Sequence, residues 1–97
     1  MGIEIELEVS KYRVKGYDKL WIEERKQRDG SYKWAIYNTM GNMCWNKKEQ
    51  SFVLEPMPSS RSDKFLKETR FVFEEAVKIV KGFFEDPQFV KMAEMLR

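Results

Sequence analysis

The sequence predicts an α+β domain. An antiparallel sheet of four to five strands (residues 3–55) comes first, and two to three helices (residues 62–97) pack on one face of it. Two observations lead to this fold class. Up to residue 55, short runs of alternating apolar and polar residues are separated by turn residues, as in strands. Beyond residue 58, apolar residues recur at the three- and four-residue spacing of helices. Strands followed by helices are typical of an antiparallel sheet covered by helices.

The strands are predicted from their alternation and from the turns between them. The first run alternates strictly between aliphatic residues and glutamates, so one face of that strand is buried and the other meets water. Asp29-Gly30 lies between two strand-like runs and is a strong hairpin signal. The predicted strands span residues 3–9 (with 12–14 as an extension), 20–26, 32–37, 43–45 and 52–54, and residues 38–42 and 46–50 form turns.

The helices follow a proline pair that ends the sheet. Pro56 and Pro58 have no backbone N–H to donate to a strand ladder. The predicted helices span residues 63–69, with Ser60 or Ser62 as the cap, residues 72–84, and a terminal segment that begins at Asp86-Pro87. The terminal segment carries one apolar stripe, formed by Phe89, Met92, Ala93 and Leu96. We expect this stripe to pack on the sheet, with a homodimer contact as the alternative.

Length and composition favour one domain, residues 1–97, with no catalytic or metal centre. The chain has 97 residues, a net charge of +2, no histidine and a single cysteine, Cys44. One cysteine cannot form an intrachain disulfide, and no Cys/His zinc site can be assembled. Without histidine, the common nucleophile–base systems are excluded. We therefore predict a protein that is not an enzyme, with no cofactor. An enzyme that depends on carboxylates is a third hypothesis, and it would need two acidic groups facing one pocket.

Hydropathy predicts no contact with a membrane. The apolar runs are far shorter than the roughly 20 residues that cross a bilayer, and residues 1–9 lack a signal-peptide core. Cytoplasmic localisation is therefore expected.

The aromatic residues divide by type along the chain. All Trp and Tyr residues precede residue 46, and all Phe residues follow residue 51. The Trp and Tyr residues lie in a segment, residues 10–48, whose ten basic and four acidic residues give it a charge of +6. Since helices on one face of a sheet leave the other uncovered, we expect some of these rings to remain exposed beside cations.

An exposed aromatic and basic surface has two functional interpretations beside a structural one. Such rings commonly fill a core. On a surface they are typical of protein interfaces, and with Lys and Arg they can also stack on the bases of single-stranded nucleic acid or on a nucleotide. The residues predicted to contribute to the binding surface are Trp21, Arg25, Tyr37, Trp45, Lys47 and Arg61. The loop of residues 56–61, which ends at Arg61, is interpreted first as a strand-to-helix connection with serine caps. The alternative is an anion site, since the guanidinium of Arg61 suits a carboxylate or phosphate and the following helix start favours anions. Cys44 is interpreted as a small buried apolar residue.

The order of motifs from Trp34 to Val77 resembles a family of small uncharacterised proteins of phages and prophage-bearing bacteria. The matching motifs are Trp34-Ala35-Ile36, Asn46-Lys47, the strand at residues 52–55, the Pro-Met-Pro-Ser-Ser-Arg loop at 56–61, Thr69-Arg70-Phe71 and Glu74-Glu75-Ala76. The resemblance covers less than half of the chain, and it departs from the family at Val72, where a Ser or Thr cap is expected. It implies an α+β fold and a phage-type origin, and it implies no activity.

Composition and resemblance together predict a small non-catalytic binding protein, of phage or prophage type and cytoplasmic in the bacterial host. It would modulate or inhibit a host protein, including a defence protein, by direct binding. The alternative is a binder of single-stranded nucleic acid or of a nucleotide ligand that uses the same face of the sheet.

Overall fold

The computed structural model describes residues 10–38, 43–88, 90 and 91. Within these residues a five-stranded antiparallel sheet has the order β1-β2-β3-β4-β5, so each strand lies beside the next in the chain. The strands are β1 (Lys11–Val14), β2 (Tyr17–Lys26), β3 (Tyr32–Asn38), β4 (Met43–Asn46) and β5 (Ser51–Leu54). A 3₁₀ turn (Pro58–Ser60) leads to helices α1 (Asp63–Thr69) and α2 (Phe73–Phe83). The predicted α+β fold class is confirmed.

Three predictions fall wholly or partly outside the described residues. They are the strand at residues 3–9, the turn at residues 39–42, and the apolar stripe of Phe89, Met92, Ala93 and Leu96. Just before that stripe, helical backbone appears at Pro87 and Gln88. There the Asp86 carboxylate accepts a hydrogen bond from the Gln88 N–H at 2.9 Å, which is the predicted capping role.

The β2–β3 hairpin turns where the sequence predicts it. The Gln27 N–H donates to the Ser31 carbonyl at 2.7 Å, and Gly30 adopts a φ of 88°, which residues with a side chain rarely adopt. The Asp29 carboxylate accepts hydrogen bonds from both the N–H and the hydroxyl of Ser31. These bonds to the charged form lower the pKa of Asp29.

The two faces of the sheet carry different cores. On one, which we name the α2 face, side chains such as Leu20, Ile22 and Ile36 pack against α2. On the other, which we name the groove face, Ala35, Tyr37 and Cys44 pack with Trp21, Val53 and Phe65. The strand registers account for the separation, since Ile22 is opposite Ile36 whereas Trp21 is opposite Tyr37.

Helices α1 and α2 lie against opposite faces, whereas the sequence predicted both on one face. Between them Phe71 forms an antiparallel bridge with Trp34, with each N–H donating to the other's carbonyl at 2.7 and 2.8 Å. At such an extended position neighbouring side chains point to opposite sides. Phe71 accordingly joins the α2-face core, while Arg70 lies over the Phe65 ring of α1. The chain thus crosses the plane of the sheet here.

The helix starts differ in how they are capped. Ser62 caps α1, and its hydroxyl oxygen accepts a hydrogen bond from the Phe65 N–H at 3.1 Å. This settles the choice between the two predicted serines. Helix α2 begins after Val72, whose side chain makes no capping hydrogen bond. Packing of its buried face, through Ala76, Val80 and Phe83, therefore stabilises α2 in place of a cap.

Candidate binding site

Four of the six predicted binding residues lie together on the groove face. Trp21 and Arg25 come from β2, Tyr37 from β3, and Arg61 from the loop before α1. They share a cavity of about 350 Å³, whose wall also includes Met57. Alternation along β2 brings Trp21 and Arg25 to the same side, and the register of β2 with β3 places Tyr37 opposite Trp21.

Stacked rings form one wall of this cavity. Trp21 and Tyr37 lie with ring centroids 5.9 Å apart and an interplanar angle of 28°. The Lys11 ammonium lies 4.4 Å from the centre of a Trp21 ring, and the Arg25 guanidinium lies 5.9 Å from that of Tyr37. Tyr37 is only 6% exposed, whereas Trp21 is half-buried. Of these two rings, Trp21 therefore offers the surface that a partner can touch.

A partly buried carboxylate, Glu55, whose side chain is 11% exposed, joins the loop, α1 and the sheet. It accepts hydrogen bonds from the Tyr37 hydroxyl at 2.8 Å and from the Arg70 guanidinium. Arg61 adds an ion pair at 3.5 Å, and its Nε donates to the Pro56 carbonyl at 2.9 Å. One carboxylate therefore fixes the positions of two arginines and a tyrosine on the groove face.

Burial and hydrogen bonding set the protonation states of this network. Burial alone would raise the pKa of Glu55, but the hydrogen bonds from Arg70 and Tyr37 outweigh it and the pKa is lowered. Glu55 is therefore ionised at neutral pH. Burial also raises the pKa of the Tyr37 hydroxyl, which stays protonated and donates.

Cys44 lies beneath this network and is fully buried. Burial, followed by the negative charge of Glu55, raises the pKa of its thiol to about 11. A thiol of this kind is not a nucleophile at neutral pH.

The other two predicted residues lie elsewhere, so the expectation of one shared exposed surface is wrong for Trp45. Trp45 is 2% exposed and packs edge-on against Phe83 in the α2-face core, because it is paired in register with Phe52 rather than with groove-face residues. Lys47 donates to Glu75 of α2 at 2.7 Å. Both line a separate cavity of about 240 Å³ beside Gly82.

Sequence reasoning missed the residues that organise the groove face. The sequence patterns include Glu55 and Arg70 only as members of longer motifs, and they do not single out Arg28. Their charges are brought together from positions 15 to 42 residues apart, and no spacing rule links them. The position of Glu55 could have indicated the network. It directly follows an apolar strand, and a carboxylate in such a place is expected to be paired with a cation where it is buried.

In residues 10–38, 43–88, 90 and 91, no group of three or more Cys, Asp and Glu side chains could hold a metal ion. In the same part of the chain, no helix has the length and apolar character needed to cross a bilayer.

Comparisons with protein-family models, with curated proteins and with solved structures each found no match. The resemblance to phage proteins therefore stays a prediction.

Proposed function

We propose that this chain is a non-catalytic binding protein of phage or prophage type, cytoplasmic in its host, that modulates or inhibits a host protein by direct contact through the groove face. The observation that carries the proposal is the convergence of Trp21, Arg25 and Arg61 on one cavity, with the buried Tyr37 ring stacked behind Trp21. Trp and Arg are among the residue types that dominate binding energy at protein interfaces.

The rim of the cavity supports a protein partner. Met57 lies there and is 74% exposed, although a large apolar side chain gains free energy from burial. Methionine side chains adapt to varied apolar partners. The arginines behind it are already held by Glu23, Glu55 and the Pro56 carbonyl, so binding would cost little further side-chain entropy.

The proposal is tested by affinity capture from bacterial host lysate, with and without nuclease. We expect one protein to be retained by the wild type after nuclease treatment, and to be lost with Met57→Glu and Trp21→Ala. Lys78→Glu, on the exposed side of α2, is the matched control and should retain it. Equal capture by Met57→Glu and Lys78→Glu would overturn the proposal.

A single-stranded nucleic acid or a nucleotide is the second candidate ligand, and the arginine content of the groove face favours it. Against it, Tyr37 is too buried for a base to stack on it. Nuclease treatment separates a nucleic acid from a protein partner, because it destroys only the nucleic acid. Loss of every captured partner on nuclease treatment would favour this second function.

A further inference from the structure

Four arginines line a second cavity of the groove face. This cavity of about 400 Å³ lies next to the first and shares Arg25 and Arg61 with it, and Arg28 and Arg70 complete the set. The arginines come from the end of β2, from the hairpin turn and from both sides of α1. Only the fold brings them together.

The carboxylates that balance these arginines do not line the cavity. Arg25 pairs with Glu23 at 3.2 Å and Arg28 with Asp63 at 3.0 Å, while Arg61 and Arg70 share Glu55. Four guanidinium groups are thus balanced by three carboxylates, and none of these three carboxylates is part of the described wall of this cavity. Glu24 and Lys26 are also part of the wall, and their opposite charges leave this balance unchanged.

The guanidinium groups are also held in place by backbone carbonyls. Arg28 donates to the Arg61 carbonyl at 2.6 Å, and Arg61 donates to the Pro56 carbonyl at 2.9 Å. Arg70 is fixed by burial, since only 2% of its side chain is exposed. Arg25 and Arg28 are the more exposed of the four, at 32% and 61% of their side chains. A ligand with negative charge would therefore meet their guanidinium groups already oriented, which lowers the entropic cost of binding.

We propose that this arginine cavity binds the carboxylates of an acidic segment of a partner protein. The planar fork of a guanidinium matches a carboxylate in two parallel hydrogen bonds. Pro58 and Leu66 supply apolar wall, which suits the methylene groups of glutamate side chains. The inference rests on the proposed function and specifies the chemistry of the partner.

The test uses N-acetyl-tetraglutamate amide as the probe and tetraglutamine of the same form as its neutral counterpart. Binding is followed at low salt by isothermal titration calorimetry. We expect tetraglutamate to bind the wild type and tetraglutamine not to bind. Removal of one charge in Arg25→Gln or Arg28→Gln should weaken tetraglutamate binding roughly fivefold, the Coulomb effect of one charge at contact in water. Lys78→Gln removes the same charge on α2 and should leave binding unchanged.

Two results would overturn the inference. One is equal binding of tetraglutamate and tetraglutamine, and the other is equal binding by Arg28→Gln and Lys78→Gln. If a host protein is still captured through Met57 in either case, the proposed function stands and only the acidic segment is wrong. Binding of oligothymidylate that exceeds that of tetraglutamate, with the same dependence on Arg25 and Arg28, would also overturn it and favour nucleic acid.

Discussion

Glu55 is the residue on which the groove face depends for its charge balance. Arg70 is 2% exposed and Glu55 11% exposed at their side chains, so neither charge is fully hydrated. A buried ion pair adds little to stability over an apolar pair, but removal of one partner leaves the other charge uncompensated. The network is therefore best regarded as fixing the geometry of the arginines.

Replacement of Glu55 by an apolar residue is expected to be strongly destabilising. Glu55→Leu should lower the free energy of unfolding by about 3–5 kcal/mol, because Arg70 then lies buried without a counter-charge. Urea denaturation measures the change. The double variant Glu55→Leu/Arg70→Met should recover most of the loss, since no unpaired charge remains between those two positions. If Glu55→Leu were as stable as the wild type, the Arg70 guanidinium would have to be hydrated in that variant, and the expectation would be wrong.

The pH dependence of stability should carry the signature of the same carboxylate. Its pKa is lowered in the folded protein from an ordinary value of 4.5, so its contribution is fully present above that value and is lost as the pH falls through the folded pKa. Glu55→Gln should remove this component. Unfolding free energies measured from neutral pH down to about pH 2 should therefore fall more steeply for the wild type than for Glu55→Gln. Parallel curves would contradict the assignment.

At the scale of elements, two glycines allow the effect of backbone conformation to be measured apart from the effect of packing. Gly30 has a φ of 88° in the β2–β3 turn, and Gly82 lies in helix α2. A Cβ atom at either position would meet nothing within 4 Å, so the two sites differ in backbone conformation and not in the room for a side chain.

Alanine substitutions at these positions should have opposite effects. Gly30→Ala forces a side chain into the left-handed region and should destabilise the protein by about 1–2 kcal/mol. Gly82→Ala reduces the entropy of the unfolded chain within a helix and should stabilise it by up to about 1 kcal/mol. Thermal unfolding followed by circular dichroism compares the two. Equal changes in the unfolding temperature of the two variants would indicate that the protein does not require the left-handed conformation at position 30.

At the scale of the whole molecule, the sequence predicted the parts better than their arrangement. Helix α1 was predicted with the observed bounds, and the hairpin at Asp29-Gly30 was correct, because caps, turns and alternation are encoded by neighbouring residues. The side of the sheet on which each helix packs depends on the bridge between Trp34 and Phe71, a pairing of residues distant in sequence. The prediction that Trp45 lies on the exposed surface is wrong for the same reason. Alternation divides the residues of a strand between two faces, but it does not determine which face a helix covers.

The groove face was predicted in part, and its organising charges were not. Trp21, Arg25, Tyr37 and Arg61 are conspicuous as residue types, and four of six candidates converge. The role of Glu55 depends on its hydrogen bonds with Arg70 and Tyr37, which lie in other parts of the chain and meet Glu55 only in the folded protein. The charge balance of a site formed by distant residues cannot be obtained from local patterns.

Cys44 can report whether the sheet opens as one unit. Its thiol is fully buried on β4 between the groove-face residues, and its pKa of about 11 keeps it unreactive in the folded state. Labelling by a disulfide reagent at mildly alkaline pH should therefore be slower than in urea by roughly a thousandfold or more, the range set by global unfolding of a stable domain. If the thiol is exposed only when the whole sheet opens, the labelling rate follows the free energy of unfolding. Glu55→Leu should then accelerate labelling by the factor that corresponds to its loss of unfolding free energy. Labelling of that variant at the wild-type rate would instead mean that β4 opens locally, without the rest of the sheet.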